Sequence, residues 1–385
     1  MTRGVGGGTR QDAPGPSVVL AVDSGGSGLR AVLAAHGTAY GTAYGTAYGT
    51  AYGTAYGTAY AAGTAAGREG LTAAAPIALS DPLTSGEPVR TGPRGISAAH
   101  LLEQLLPMAG RLMDDAGAVR LGAVAVGAAG LATLGDELRD ELPAALEREL
   151  GVRRLALVAD AVTAYTGALG PRAGAVIAAG TGMIAIGTDL TSWRRADGWG
   201  HLLGDCGGGA WIGRAGLEAA LRAFDGRQGG SPELLAGAEE VFGPMSELPG
   251  RLYPRTDRPA VLASFAPQVA ARAGSDPVAA DILRTAARHM AESAAAACPP
   301  DGEPLLALTG GLFRMGEPLL APLREELAAR VPHARLVPAA GDPLDGALRI
   351  AVGLADGRLT LPQDDRMLYV VAEKPYPEID ALNSA

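Results

Sequence analysis

The sequence predicts an α/β fold of two similar lobes, and three features of the chain indicate it. Apolar, β-prone runs alternate with helical patterns along most of the sequence. Two of these runs, at residues 18–22 and 175–179, end in turns of glycine and hydroxyl residues. Apolar residues resume after each turn, as in a hairpin, and hairpins followed by alternating strands and helices are typical of α/β folds. Because two glycine turns could hold one polyphosphate from opposite sides, we expect a nucleotide cleft between the lobes.

The composition is that of a globular protein with a large core. Of 385 residues, 48% are hydrophobic and 19% are charged, and the net charge is −9. This acidic balance argues against nucleic acid or an anionic membrane as a partner. Two cysteines, Cys206 and Cys298, do not indicate a disulfide framework, so we expect a cytoplasmic location. Residues 1–16 lack the apolar core of a signal peptide and are interpreted as a disordered leader, and no apolar run is long enough to span a bilayer.

The first lobe, residues 17–170, is expected to contain strands and helices in alternation. Apolar runs bounded by Gly, Asp or Arg predict the strands, and the spacing of apolar residues predicts the helices. Pro107 should kink the first helix. The predicted elements are strands at 18–22 and 29–34, a helix at 97–116, a strand at 121–126, a helix at 136–150 and a strand at 155–159. A further helix should begin just after Asp160.

A low-complexity insertion, residues 37–67, interrupts this lobe. It contains six consecutive Gly-Thr-Ala-Tyr units, from Gly37 to Tyr60. As a strand, the repeat would place Thr and Tyr on one face; as a helix, each Gly would cost ~1 kcal/mol relative to Ala. Low-complexity repeats are also often disordered. We interpret the segment as an expanded hairpin loop without a catalytic role.

The second lobe, residues 171–358, begins with the strand that precedes the second glycine turn. Leu217, Leu221 and Phe224 share one face of a predicted helix at 210–224. Residues 226–258 are rich in Gly and Pro and should form short helical pieces. Asp276-Pro277 is a helix start, with Pro in the first turn. The remaining predicted elements are the helix from there to about 297, a strand at 305–308, a helix at 344–354, and a tail at 359–385 with a short strand at 367–371.

The two glycine turns are the candidate phosphate sites. Backbone N–H groups and a hydroxyl at such turns can bind phosphate oxygens. The candidate residues are Gly25, Gly26 and Ser27 in the first turn and Gly180, Thr181 and Gly182 in the second. Asp23, beside the first turn, could hold Mg²⁺ next to the phosphates of ATP, or could merely cap the turn.

Asp160 is the candidate general base. It follows a predicted strand and precedes a helix. A sugar hydroxyl that attacks phosphorus needs a group to receive its proton, and a carboxylate suffices in a loose transition state. The alternative is that Asp160 is the N-cap of the following helix.

The segment Gly198-Trp199-Gly200-His201-Leu202-Leu203-Gly204-Asp205 is the most distinctive string in the chain. A Trp face can pack on a pyranose ring, and Asp205 can accept bonds from two sugar hydroxyls. His201 is interpreted as a structural residue. Gly310 and Gly311, after another strand, would let an adenine ring lie flat on the backbone, although alone they equally fit a strand-to-helix turn.

Together these strings resemble the BadF/BadG/BcrA/BcrD ATPase family, in the N-acetylglucosamine kinase branch of the actin–hexokinase superfamily. The resemblance covers most of residues 17–354. The matching segments, in the family's order, are Asp23-Ser24-Gly25-Gly26-Ser27, Ala159-Asp160-Ala161, Gly180-Thr181-Gly182, Gly198-Trp199-Gly200-His201 with Gly204-Asp205, Gly310-Gly311 with Phe313, and Asp342-Pro343-Leu344-Asp345-Gly346-Ala347.

The resemblance implies two duplicated ribonuclease H-like lobes of the actin/hexokinase type, with a central nucleotide cleft and a last helix that packs back on the first lobe. It implies ATP and Mg²⁺ as cofactors and transfer of phosphate to the 6-hydroxyl of N-acetylglucosamine or a related amino sugar. Asp160 would be both base and sugar ligand. Gly198, Trp199, Gly200 and Asp205 would bind the sugar, and Gly310 and Gly311 the adenosine. A homodimer is compatible with this assignment.

The chain departs from the family at three points. Cys206 stands where the family usually has Glu, and a later position is Gly where the family has Ser or Ala. Residues 84–96 contain no match to an Asn-bearing loop that binds the sugar in many members. The acceptor sugar is therefore less well specified than the kinase chemistry. Two alternative functions remain open. The first is an ATPase activator of a reductive dehydratase, which would need paired cysteines for an iron–sulfur cluster. The second, which the missing Glu and Asn suggest, is a sugar or nucleotide sensor without turnover.

Overall fold

The computed structural model describes residues 18–26, 28–35 and 77–372. The predicted leader, the Gly-Thr-Ala-Tyr repeat, Ser27 and the end of the predicted tail lie outside the described residues. The described chain groups into two compact units. The first contains the described residues up to Leu157, residues 348–359 and those from Tyr369; the second contains residues 158–347 and 360–368. A lobe boundary at residue 170 stays a prediction.

Strands and helices alternate as an α/β chain should. The strands are β1 (Val18–Gly25), β2 (Gly28–Ala35), β3 (Ile77–Ala78), β4 (Leu83–Thr84), β5 (Thr91–Gly92), β6 (Gly95–Ile96), β7 (Leu121–Ala128), β8 (Leu155–Ala159), β9 (Gly174–Ala179), β10 (Met183–Thr188), β11 (Trp193–Asp197), β12 (Leu305–Thr309), β13 (Arg335–Val337) and β14 (Leu368–Val371). The helices are α1 (Ala98–Ala116), α2 (Leu131–Leu134), α3 (Asp136–Leu150), α4 (Asp160–Leu169), α5 (Gly209–Phe224), α6 (Pro232–Phe242), α7 (Leu248–Leu252), α8 (Arg258–Ala263), α9 (Ala266–Arg272), α10 (Pro277–Ala297), α11 (Glu317–Arg330) and α12 (Pro343–Ala355).

The larger sheet has the strand order β14-β8-β7-β1-β2-β3, with β4 paired to β2. β1 pairs parallel with β7 and antiparallel with β2, and its pairing with β2 continues to Gly25↔Gly28. Residues 18–22 are fully buried, as an apolar run covered on both faces should be. The strand is longer than predicted: because the ladder continues past Val22, Asp23 lies inside β1 rather than after it.

Local capping sets the ends of the first unit's main helix. The hydroxyl of Ser97 accepts a hydrogen bond from the N–H of His100 (3.3 Å), and Gly117 ends α1 at φ +60°. Leu101, Leu105 and Leu112 point into the core. α1 is one helix that contains Pro107. The predicted bounds of α3 and β8 are confirmed.

The smaller sheet repeats the arrangement around the first strand of the larger one. Its order is β11-β10-β9-β12-β13. β9 pairs antiparallel with β10 and parallel with β12, as β1 does with β2 and β7. In both sheets, therefore, a glycine turn joins a hairpin whose first strand also lies beside a parallel strand.

Helices α5 and α10 supply much of the second unit's core. Asp276 caps α10 through the N–H of Val278 (2.9 Å), and Pro277 is its first residue, as predicted. Residues 161–169 of α4 are buried, and α4 packs on β9, β10 and β12. The start of α12 contacts α4 so closely that a Cβ on Gly167 or Gly346 would overlap backbone oxygen.

The predicted order of elements is confirmed, including the short strand near residue 367, which is β14. The region 226–258 forms short helices, as its Gly and Pro content indicates. Among the described residues, no helix combines the length and apolar character needed to cross a membrane.

Candidate functional site

The first glycine turn joins β1 to β2 in the first unit. A Cβ on Gly25 or Gly26 would meet no atom within 4 Å, so both glycines border open space. Oδ2 of Asp23 accepts hydrogen bonds from Nη2 and Nε of Arg30, at 2.6 and 3.1 Å. The charge of Asp23 is therefore balanced by a guanidinium, and a cation that binds here has to share the carboxylate with it.

A segment that sequence reasoning missed, residues 83–87, lies against this turn. The N–H of Ser85 donates to the carbonyl of Leu29 (2.8 Å), and a Cβ on Gly28, which has φ +124°, would lie 3.0 Å from the carbonyl oxygen of Ser85. Glu87 contacts Nε2 of the buried His100 (3.3 Å). The dipeptide Ser85-Gly86 was the one signal of a turn here.

The second glycine turn is bonded to the start of α5. The N–H of Gly209 donates to the carbonyl of Gly180 (2.9 Å), and the N–H of Ala210 donates to the carbonyl of Thr181 (2.8 Å). A Cβ on Gly180 would meet no atom within 4 Å. The turn thus has a fixed inner side and an open outer side, as close approach of a phosphate requires.

Asp205 lies against this turn. Its Oδ2 occupies the place that a Cβ on Gly182 would need, so a side chain at residue 182 would displace this carboxylate. Its Oδ1 accepts a hydrogen bond from the N–H of Gly200 (3.0 Å). Burial raises the pKa of the Asp205 carboxyl above its usual range; the bond from Gly200 lowers it, and the charge of Asp197 raises it further. Asp205 is a half-buried carboxylate held between the second glycine turn and residues 198–204.

Residues 198–204, here called the sugar loop after their predicted role, are closed at their base by Asp197. Its Oδ1 accepts the N–H of Asp205 (2.6 Å), and its Oδ2 accepts the N–H of Cys206 (2.8 Å). Sequence reasoning missed Asp197. Its partners are eight and nine residues ahead in the chain, a distance at which no local pattern signals a bond.

Trp199 has one face occupied. The guanidinium of Arg195 lies 4.1 Å from the centre of its ring, and Nε of Arg195 donates to the carbonyl of Asp197 (3.0 Å). The indole is still 59% exposed. Its second face is therefore the one on which a flat apolar group could pack.

Asp160 is the first residue of α4, and Ala159 is the N-cap. Its Oδ1 accepts the N–H of Ala161 (2.9 Å), the residue next to it. The N-cap alternative would have placed Asp160 before the helix, with bonds to N–H groups further along the first turn. Asp160 is therefore not the N-cap residue, although its carboxylate accepts an N–H of the first turn, and its role as a base stays a prediction.

Gly310 approaches the carboxyl end of β9. It has φ +106°, and a Cβ there would overlap the carbonyl oxygen of Ala179. This packing by itself explains why residue 310 is glycine. Gly311 begins the 3₁₀ turn Gly311–Met315. Their predicted contact with adenosine stays a prediction.

The two cysteines give little support for an iron–sulfur cluster site. Cys298 is 4% exposed, and burial raises the pKa of its thiol to about 11, which disfavours the thiolate that a metal needs. Burial also raises the pKa of Cys206. Within the described ranges, no group of three or more His, Cys, Asp or Glu side chains is arranged to hold a metal ion.

The second unit thus brings several predicted residues into one bonded assembly. It joins Gly180, Thr181, Gly182, Gly200 and Asp205, with Gly310 beside the strand that leads into the turn. Gly198 lies on the side chain of Ile184, within the same sheet. Asp160 begins the helix that packs on this sheet. Asp23, Gly25 and Gly26 belong to the first unit.

Comparisons with known proteins point to sugar kinases. The sequence model of the BadF/BadG/BcrA/BcrD ATPase family matches residues 20–348. A solved structure from Chromobacterium violaceum, provisionally named an N-acetylglucosamine kinase, has a TM-score of 0.60 and 27% identity, over 87% of this chain and 99% of that one. A ROK family glucokinase from Streptomyces griseus, solved with glucose and AMPPNP, has a TM-score of 0.50 and 18% identity, over 88% and 98%, and shows the shared fold alone.

A curated relative matches part of the chain. It is an N-acetylmuramic acid/N-acetylglucosamine kinase from Clostridium acetobutylicum, 39% identical over 82 residues. The match spans 21% of this chain and 27% of that protein.

Proposed function

Because the chain belongs to the BadF/BadG/BcrA/BcrD ATPase family, we propose that it is an ATP-dependent kinase that phosphorylates the 6-hydroxyl of N-acetylglucosamine or a related amino sugar. Two of its relatives are named for this sugar, one of them at 27% identity over nearly its whole length. The matched part of the curated relative is short, so the substrate is argued here from the site.

The observation that carries the proposal is the bonding of the sugar loop to the second phosphate turn. Asp205 joins the two: Oδ1 accepts the N–H of Gly200, and Oδ2 fills the space beside Gly182. A phosphate acceptor and a phosphate donor have to lie within a few ångströms of each other in the reacting complex. A single assembly that presents a phosphate turn and a loop with Trp and Asp meets this requirement.

The proposed roles follow from the chemistry of each group. The N–H groups of both glycine turns and the hydroxyl of Thr181 bind the phosphates of ATP. The carboxylate of Asp160 receives the proton of the attacking hydroxyl. Asp205 accepts hydrogen bonds from sugar hydroxyls, and the open face of Trp199 packs on the sugar ring.

The surroundings of Asp23 fit a Mg²⁺ ion that is held jointly with the phosphates of a nucleotide. They fit less well a metal site made of protein ligands alone. Mg²⁺ is commonly held by one or two carboxylates together with phosphates and water. Asp23 supplies one carboxylate beside open glycines, and Arg30 occupies part of it. When bound, the ion would neutralise charge on the transferred phosphate.

The experiment is a panel of sugars with ATP and Mg²⁺, in which ADP release is measured for the full chain. The panel contains N-acetylglucosamine, glucosamine, N-acetylmannosamine, N-acetylmuramic acid and glucose. We expect ADP release with at least one N-acetylated amino sugar, and none with its 6-deoxy analogue. ADP release that no sugar raises above the sugar-free background would contradict the proposal.

Asp160→Asn tests the base directly. We expect kcat to fall by ~10²–10⁴ because the hydroxyl loses its proton acceptor, while the Kd of ATP stays within about twofold. Asp136→Asn is the matched control, since Asp136 is likewise the first residue of a helix but is exposed. An Asp160→Asn variant that turns over at the wild-type rate would remove Asp160 from this role.

A further inference from the structure

We propose that Asp197 is a positioning residue that sets Asp205 and the sugar loop for binding of the acceptor. The proposal rests on the function proposed above. Asp197 reaches the substrate only through other groups: its carboxylate is bonded to the backbone at 205 and 206, and Asp205 in turn holds Gly200.

The carboxylate of Asp197 is used at both oxygens. Oδ1 accepts from Asp205 at 2.6 Å and Oδ2 from Cys206 at 2.8 Å, so two consecutive N–H groups are fixed by one side chain. Hydrogen bonds to a charged acceptor are about twice as strong as neutral ones. Oδ1 of Asp197 also occupies the position that a Cβ on Gly204 would need. A side chain at residue 204 would therefore press on this carboxylate and on Trp199.

The backbone at both ends of the loop is in the left-handed region. Asp197 has φ +60° and Asp205 has φ +54°, and among the described residues Leu190 is the one other non-glycine residue with positive φ. Such conformations are unfavourable for residues with a side chain and persist where surrounding contacts enforce them. The bonds from Asp197 are contacts of this kind, since they join one end of the loop to the other.

The position of the Asp205 carboxylate depends on this closure. With its own N–H held by Asp197, Asp205 turns its side chain toward the N–H of Gly200 and the backbone of Gly182. Arg195 adds a second support: it donates to the carbonyls of Asp197 and Gly198 and stacks on Trp199. Loss of the Asp197 carboxylate should free both sugar-binding side chains while leaving the second glycine turn bonded to α5.

The test compares Asp197→Asn and Asp197→Ala with a matched control, Asp189→Asn. Asp189, which follows β10 in the connection to β11, also accepts N–H groups two and three residues ahead, from Thr191 (2.9 Å) and Ser192 (3.1 Å). Asp189 therefore also bonds backbone N–H groups through its carboxylate, but in a different loop. Asn can accept at one oxygen only, so Asp197→Asn loses one of the two bonds with little change of shape.

We expect amide hydrogen exchange to accelerate about tenfold or more at both residues 205 and 206 in Asp197→Ala, and at one of the two in Asp197→Asn, since protection there comes from these bonds. The Kd of N-acetylglucosamine should rise about tenfold, whereas the Kd of ADP should stay within about twofold of wild type. This difference is expected because the lost hydrogen bonds hold the sugar loop and not the second glycine turn. Asp189→Asn should leave both dissociation constants within about twofold of wild type.

Two results would overturn the proposal. Unchanged exchange at 205 and 206 would mean that Asp197 does not close the loop. Loss of sugar and ADP affinity together, in proportion to a lower melting temperature, would reduce Asp197 to a residue of general stability. If the wild-type chain binds no sugar, the proposed function fails, whereas the exchange measurement still decides whether Asp197 closes the loop.

Discussion

Asp205 shows, at the scale of one residue, how a carboxylate proposed to bind sugar is held in an unfavourable place. It is half-buried, its backbone has φ +54°, and burial holds the pKa of its carboxyl above the usual range. A carboxyl with a raised pKa in the folded state binds its proton more tightly there than in the unfolded chain. Ionised Asp205 therefore lowers the stability of the fold, which is a common property of residues kept for function.

This gives a prediction for Asp205→Asn. At pH 7 we expect a higher urea midpoint than for wild type, because Asn keeps an acceptor for Gly200 and carries no charge to bury. Wild type is more stable while Asp205 is protonated, and it loses this stability as pH rises through the pKa of Asp205 in the folded state. The difference in urea midpoint between the variant and wild type should therefore shrink toward about pH 4, near the ordinary pKa of Asp. Urea unfolding between pH 4 and 8 measures it. The charges that face this group are those of Asp197, His201 and Arg195.

Asp189→Asn is the opposite case and serves as the control. The hydrogen bond from the Thr191 hydroxyl, with N–H bonds from Thr191 and Ser192, lowers the pKa of Asp189 to about 2. Its contribution is present above the unfolded pKa and is lost as pH falls through the folded one. We expect Asp189→Asn to be slightly less stable than wild type at pH 7, with a small effect because the side chain is exposed. Equal pH dependence in the two variants would contradict the assignment of Asp205.

At the scale of elements, the contact between α4 and α12 depends on glycine. A Cβ on Gly346 would overlap the carbonyl oxygen of Thr163, and one on Gly167 would overlap that of Asp342. Asp342 and Asp345 also bond reciprocally, each accepting the other's N–H, so the start of α12 is fixed in place. Since α4 begins at Asp160, this contact supports the helix that carries the proposed base.

Two substitutions in α12 should therefore have opposite effects. Gly346→Ala should destabilise the protein by ~1–3 kcal/mol, because backbone atoms have to move apart. Gly353→Ala should be neutral or stabilising by up to ~1 kcal/mol, because its Cβ would lie at an ordinary 3.5 Å from Leu359 and Ala favours helix. Denaturant midpoints of the two variants test this. A Gly346→Ala protein as stable as Gly353→Ala would show that the helices are not in close contact.

The elements and the site differ in how far sequence predicts them. Helix ends at Ser97 and at Asp276-Pro277 follow from local capping chemistry, and both are confirmed. The end of β1 does not follow from local chemistry, since Asp23 is in the strand because it pairs with Arg30 of β2. Asp197 and Ser85 were missed for the same reason: each acts through a bond to a residue that no short-range pattern connects to it. The glycine turns were predicted because their composition itself encodes the backbone they need.

At the scale of the whole chain, the two strands that flank the repeat in the sequence are neighbours at one end of the larger sheet. β2 and β3 pair antiparallel, with Ala35↔Ile77 and Ala34↔Ala78, so the chain leaves and returns at adjacent points. Roughly forty residues, with the Gly-Thr-Ala-Tyr repeat among them, lie between these partners. Closing a loop of that length has a modest entropic cost that grows with the logarithm of its length.

Replacement of residues 37–75 by a four-residue turn should therefore preserve the enzyme. We expect stability to rise by ~1–2 kcal/mol from the shorter loop, with kcat and both KM values unchanged if the repeat has no part in catalysis. Unfolding curves and steady-state kinetics of the shortened chain give the answer, with a variant of scrambled repeat sequence and equal length as the control. A tenfold loss of kcat/KM in both variants would assign the repeat a role that its composition does not indicate.

The guanidinium on Trp199 has a consequence for selectivity. With Arg195 on one face of the indole, a sugar ring that packs on Trp199 can use only the other face. One-sided stacking responds to the flat apolar patch that many pyranoses share, and it is nearly indifferent to which substituent a given ring carbon bears. Discrimination between epimers, or between an amino sugar and glucose, would then depend on directional hydrogen bonds to the substituents of the ring. Replacement of the indole by another aromatic side chain would lower the affinity for all sugars to a similar extent.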